Sequence, residues 1–158
     1  MMKAPHSHSY PLLSALLFFF FVTWSSSGSL LSIWLHQEVG LKAGDTGIIY
    51  AVLSVSAQVC YGFIQDKLGL RKHLLWYITA LLILSGPAYL LFGHLLKINV
   101  LLGSIFGGIY IGLTFNGGIG VLESYTERVA RQSQFEFGRA RMWGSLGWAV
   151  ATFFAGLL

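Results

Sequence analysis

Long apolar runs broken by short charged stretches set the pattern of this chain. The first run extends from Pro11 to Leu35 without a charged residue. Further runs cover roughly 46–64, 74–93, 100–122 and 142–158. A membrane-crossing helix needs about 20 mostly apolar residues, and these five stretches reach or approach that length. They are too long for strands and show no alternation of period two. Backbone exposed to lipid must bond within its own segment, so the runs are predicted to be helices. The expected organisation is a short tail over 1–10 followed by five helical spans. Lys3, the apolar run and Ser25-Ser26-Ser27-Gly28 also suggest a secretory signal. The apolar character resumes at once through Leu30, Leu31, Ile33 and Trp34, which favours a span.

Composition strengthens that picture. Of the 158 residues, 55% are hydrophobic and only 10% are charged. Soluble domains run near a quarter charged, and a soluble core this small has no room for so much apolar surface. The net charge of +4 is first a topology signal. Lys3, Lys67, Arg71, Lys72, Arg128, Arg131, Arg139 and Arg141 are eight of the ten basic residues. All fall on one side of an alternating topology, whereas Lys42 and Lys97 fall on the other. Cytoplasmic loops collect Lys and Arg, so the N-terminus and both basic loops are expected in the cytoplasm. The fifth span then runs outward and is still apolar at Leu158, which reads as a truncated product.

Little else points to other chemistry. Aromatic residues sit inside apolar runs, so no nucleic-acid partner is expected. Cys60 is alone and reads as a small packing residue. His6 and His8 make no metal site by themselves, and His94 reads as interfacial. No Ser-His-Asp set, paired carboxylates or phosphate-binding loop appears, so neither an enzyme nor a cofactor is expected. Glu127, Arg128 and Arg131 read as a solvated loop face. Gly103/Gly107 and Gly108/Gly112 are small-residue pairs that let helices approach closely, for static packing or for sliding. Gly86-Pro87 predicts a kink in the third span.

Two groups of residues go further. The hairpin Gly62-Phe63-Ile64-Gln65-Asp66-Lys67-Leu68-Gly69-Leu70-Arg71-Lys72 spaces glycines and an aspartate among bases. A merely basic loop accounts for the charges but not for that spacing. Glu123 is expected to close the fourth span and Arg141 to open the fifth, with Trp148 two turns on. By residue type alone these are interface charges and an anchoring tryptophan. They also form a set suited to a sugar. A carboxylate accepts from hydroxyls, a guanidinium donates in a fork, and an indole covers the apolar face of a pyranose. Asn116, polar within an apolar run, is a further candidate.

The hairpin resembles the cytoplasmic gate loop of the major facilitator superfamily. Together with Ile33-Trp34-Leu35-His36 and Phe135-Glu136-Phe137-Gly138-Arg139-Ala140-Arg141-Met142, it resembles the oligosaccharide:proton symporters. That resemblance covers nearly the whole chain after the first ten residues. It implies the N-terminal six-helix half of a carrier, here lacking its sixth span, in the bacterial inner (plasma) membrane. The implied partners are a disaccharide, a proton, the lipid bilayer and a missing C-terminal half. It also implies sugar-binding roles for Glu123, Arg141, Trp148 and Asn116. Gate roles are implied for Gly62, Asp66, Lys67, Gly69, Arg71 and Lys72. The substrate signals are mixed. Phe20-Phe21-Val22-Thr23-Trp24-Ser25 and Trp143-Gly144-Ser145 resemble sucrose permease, whereas Glu123 and Trp148 resemble the galactoside branch. The stretch from Tyr50 to Gly62 is about three residues shorter than the family pattern, nearly one helical turn, so the second span is expected to be short. The chain alone is expected to be transport-inactive. The alternative is a transport-dead membrane module that pairs with a separate second half.

Overall fold

A computed structural model of the protein describes residues 9–68 and 73–157. Among the described residues the chain is helical, with short connections and no strand. The helices are α1 (Ser9–Gln37), α2 (Ala43–Leu68), α3 (His73–Ile83), α4 (Ser85–Ile98), α5 (Val100–Ile111), α6 (Gly117–Ser133) and α7 (Phe137–Ala155). A π-helical turn, Gly112–Asn116, joins α5 to α6 without a break. His6 and His8 lie outside the described residues.

Among the described residues, two helices are long and apolar enough to cross a membrane, Ser9–Gln37 and the continuous Val100–Ser133. Leu75–Ile83 and Ser85–Ile98 make a third if taken as one span bent by 61°. The remaining two expected spans coincide with α2 and α7, whose ends carry charge. Large apolar side chains point outward along these helices: Leu12, Trp76 and Leu90 are each at least 70% exposed. That is costly in water and natural in lipid.

Local signals set the helix ends. Gly40, with φ +76°, closes α1, and Leu41 N bonds back to Leu35 O at 3.1 Å. This bond, spanning six residues around a left-handed glycine, satisfies a carbonyl that the helix leaves free. His36 Nδ1 adds a bond to Leu41 O at 2.8 Å. Asn99 ends α4 and caps α5, its side chain accepting from Leu101 N and Leu102 N at 2.9 and 3.1 Å. A single residue thus turns one helix into the next.

Several expectations change here. The bend of the third span is centred at Leu84, three residues before Pro87. Pro87 has no N–H to offer Ile83, and its ring crowds the preceding turn, so the distortion falls upstream of the proline. The Tyr110 hydroxyl donates to Leu81 O at 2.5 Å beside this break. Helix α2 extends past both ends of its apolar run. Its 26 residues rise about 39 Å, and it takes in Gly62, Asp66 and Lys67, expected in a loop. Helix α6 runs ten residues past Glu123, so Glu127, Arg128 and Arg131 are helical rather than in a loop. Arg131 Nη2 donates to Glu127 Oε1 at 2.6 Å, one turn away on an exposed face.

The chain divides into two compact units. One, Ser32–Val121, is held by glycines. A Cβ on Gly103 would meet Leu96 N at 2.7 Å, and one on Gly107 would collide with the Phe92 ring. Both therefore seat α4 directly on α5. Gly108 does the same for α2, where a Cβ would meet Ser56 Cβ at 2.8 Å. The Trp34 ring packs on Tyr89 and Phe92 and reaches Gly93. The second unit comprises residues up to Leu31 together with those from Leu122 onward. It contains α7, most of α1 and most of α6, and three of the expected site residues.

Candidate functional site

Helix α1 carries a buried stripe of Leu13, Leu17, Phe20 and Phe21 at helical spacing. Helix α7 answers with small residues: Ala140, Gly144, Gly147 and Ala151 are all buried. A Cβ on Gly144 would meet the Phe21 ring at 2.8 Å, and one on Gly147 would strike the Phe18 carbonyl oxygen. Helix α1 therefore lies directly on the backbone of α7, as small residues permit in a membrane. Contacts rise together along both. Trp143 Nε1 donates to Tyr10 Oη at 3.2 Å, and Ser25 Oγ lies 2.8 Å from Thr152 Oγ1. The helices are thus parallel.

This crossing brings Glu123, Arg141 and Trp148 together. Arg141 Nε donates to Glu123 Oε1. Arg141 Nη1 donates to Ser145 Oγ, one turn on, at 3.2 Å. The guanidinium carbon sits 4.5 Å from the centre of the Phe21 ring. A cation over an aromatic face is attracted by the ring quadrupole, and the ring also holds the planar group flat. The Trp148 ring meets the same Phe21 at 6.3 Å and Trp24 at 5.0 Å, both edge to face. Arg141 and Glu123 are each one-third exposed and Trp148 two-fifths exposed, so the set is open to a solute. The arrangement offers carboxylate oxygens, guanidinium donors and one indole surface side by side.

Other expected residues fall elsewhere. Asn116 ends the π-helical turn, half-buried, in the other unit. Gly62, Asp66 and Lys67 lie on the last turns of α2, described by backbone alone. Gly69, Arg71 and Lys72 lie outside the described residues. No group of three or more metal-ligating side chains occurs among the described residues.

Sequence reasoning named Phe21, Trp24, Ser25 and Ser145 only within motifs that resemble sucrose permease, and it did not single out Thr152. A signal was present: Phe18, Phe21, Ser25 and Gly28 recur at intervals of three and four, one face of α1. That face opposes α7, but a uniformly apolar helix does not announce which face does so.

Comparison with known proteins gives the family of the chain. The profile of the LacY proton/sugar symporter family matches residues 2–158. Lactose permease of Citrobacter freundii is 50% identical over 130 residues, covering 80% of this chain and 31% of the relative. Melibiose permease of Enterobacter cloacae subsp. cloacae is 46% identical over 145 residues, or 89% of this chain and 34% of the relative. Sucrose permease of Escherichia coli is 41% identical over 152 residues, or 94% and 37%. The chain thus spans about a third of the length of these curated relatives. The relatives are permeases, not enzymes. With its family profile matched nearly end to end and its apolar helices, this chain belongs to the LacY proton/sugar symporter family, multi-pass membrane transporters of the major facilitator type.

Proposed function

We propose that this chain supplies one wall of the sugar site in a proton-coupled disaccharide carrier of the inner membrane. The observation that carries the proposal is the cluster of Glu123, Arg141 and Trp148 around Phe21. Arg141 is held from one side by a carboxylate and from beneath by a ring, which leaves Nη donors for sugar hydroxyls. Trp148 presents an apolar surface to the C–H face of a pyranose ring. Asn116 is a further sugar contact. Because the relatives are about three times longer, the opposite wall and most of the proton-coupling groups belong to a second half. Sugar then binds between the halves, and rocking of one against the other exposes the site alternately to each side. Gly62, Asp66, Lys67, Gly69, Arg71 and Lys72 form the cytoplasmic gate, with the N-terminus on that same side. The substrate is a galactoside or sucrose. By itself the chain does not transport.

The test joins the chain in frame to the remaining part of the sucrose permease of Escherichia coli or of the lactose permease of Citrobacter freundii. Uptake of labelled sucrose, lactose and melibiose is then measured in cells. Arg141→Lys keeps the charge and loses the fork, so uptake is expected to fall about tenfold or more. Uptake at the unsubstituted level would remove Arg141 from the site.

A further inference from the structure

Ser25 is fully buried in α1, yet it carries a hydroxyl. Its Oγ lies 2.8 Å from Thr152 Oγ1 and 3.3 Å from the carbonyl oxygen of Trp148, both on α7. The Thr152 hydroxyl donates to that same Trp148 carbonyl at 2.9 Å. One proton assignment fits all three distances. Thr152 donates to Trp148 O, and Ser25 donates to Thr152 Oγ1 while leaning toward the carbonyl. Each hydroxyl then uses its single proton once. Such a bond is worth more to Ser25 than to Thr152, because a buried hydroxyl has no water to turn to.

The position of this bond gives it a consequence. Trp24, the neighbour of Ser25, sets its ring 5.0 Å from that of Trp148, at 86°. Phe21, one turn earlier, touches both rings and carries Arg141 above it. Gly144 and Gly147 fix how near α1 and α7 come, but smooth glycine surfaces do little to stop one helix sliding along the other. The hydroxyl bonds are directional and do resist sliding. A shift of α1 along α7 would drive Trp24 against Trp148 and carry Phe21 from beneath Arg141.

We propose that Ser25 and Thr152 form a clasp that sets the register of α1 on α7 and so orients the Trp148 ring. They are positioning residues. The inference rests on the functional reading above only for what the indole surface is for; the clasp itself is testable without sugar.

The test uses the full 158-residue chain in phospholipid nanodiscs. An edge-to-face indole pair gives an exciton couplet in the far-ultraviolet circular dichroism, and Trp24→Phe identifies the couplet by removing it. Ser25→Ala and Thr152→Val are expected to lose most of the couplet with helix content unchanged. Thr152→Ser, which restores the hydroxyl, is expected to keep it. A couplet of parental size in Thr152→Val overturns the proposal. Should Ser25→Ala fail to insert, Thr152→Val carries the test alone, since it exchanges one exposed hydroxyl for a methyl of like shape. A second arm uses the joined carrier. There Thr152→Val is expected to raise KM about fivefold, the worth of one such bond, and Thr152→Ser to restore it. A lost couplet with KM unchanged leaves the clasp standing and counts against Trp148 as the sugar's platform.

Discussion

Two helix crossings in this chain use the same device for different ends. In Ser32–Val121, Gly103 and Gly107 let α4 lie on α5, and what fills the seam is apolar: Leu96 and Phe92. In the other unit, Gly144 and Gly147 let α1 lie on α7, but polar groups gather beside the seam: Ser25, Thr152, Arg141 and Glu123. Lipid supplies no hydrophobic drive between helices, so both seams depend on close fit. The first seam is fit alone. The second also carries polar side chains, and the hydroxyl bond between Ser25 and Thr152 keeps its register. Close packing by glycine therefore does not mark a functional helix. What separates the two seams is a polar partner placed next to the glycine.

The steepest way to break this comparison is to crowd each seam. Gly103→Val forces a side chain onto Leu96 backbone, and Gly147→Val forces one onto the Phe18 carbonyl. Neither backbone atom can swing aside, so each variant is expected to lose about 1–3 kcal/mol or more. Thermal unfolding in nanodiscs reads this. If Gly147→Val melts with the parent, the α1–α7 seam is looser than the structure has it.

A milder change separates fit from function. Arg141→Lys is expected to abolish most sugar uptake in the joined carrier yet to leave the unfolding midpoint nearly unmoved, because the pair with Glu123 is one-third exposed. Equal losses of stability and uptake would make the pair structural. Smaller still is Tyr110→Phe, which removes the hydroxyl bonded to Leu81 O at the α3–α4 break. A loss of about 1 kcal/mol is expected, with hydrogen exchange rising at the break. No change would show that lipid-side backbone adjusts to the proline unaided. The smallest effect belongs to Arg131→Ala. Its one-turn pair with Glu127 is exposed, so stability should move by about 0.5 kcal/mol at most.

The helices and their lipid setting were legible because apolar run length and backbone bonding leave one solution. Glu123, Arg141 and Trp148 were legible as types suited to sugar, and seven-residue spacing put two of them on one face. The helix ends were less legible. Helix α6 carries its charges onward as a helix because Glu127 and Arg131 pair along it and no proline or glycine stops it before Gln134, whose φ is +54°. Helix α2 likewise continues through Gly62 to Leu68. Hydropathy detects where an apolar run ends, not where a helix does.

Sequence by itself therefore determined a helical membrane protein of a sugar-carrier family, since those follow from composition, run length and motif. Only the tertiary structure decided which side chains stand around Arg141. Phe18, Phe21, Ser25 and Gly28 share a face in any α-helix, but every face of α1 is apolar enough for lipid. The choice of the face that meets α7 was made by Gly144 and Gly147, more than a hundred residues away in the chain. Close approach there is what placed a phenyl ring beneath the guanidinium and a serine hydroxyl beside Thr152.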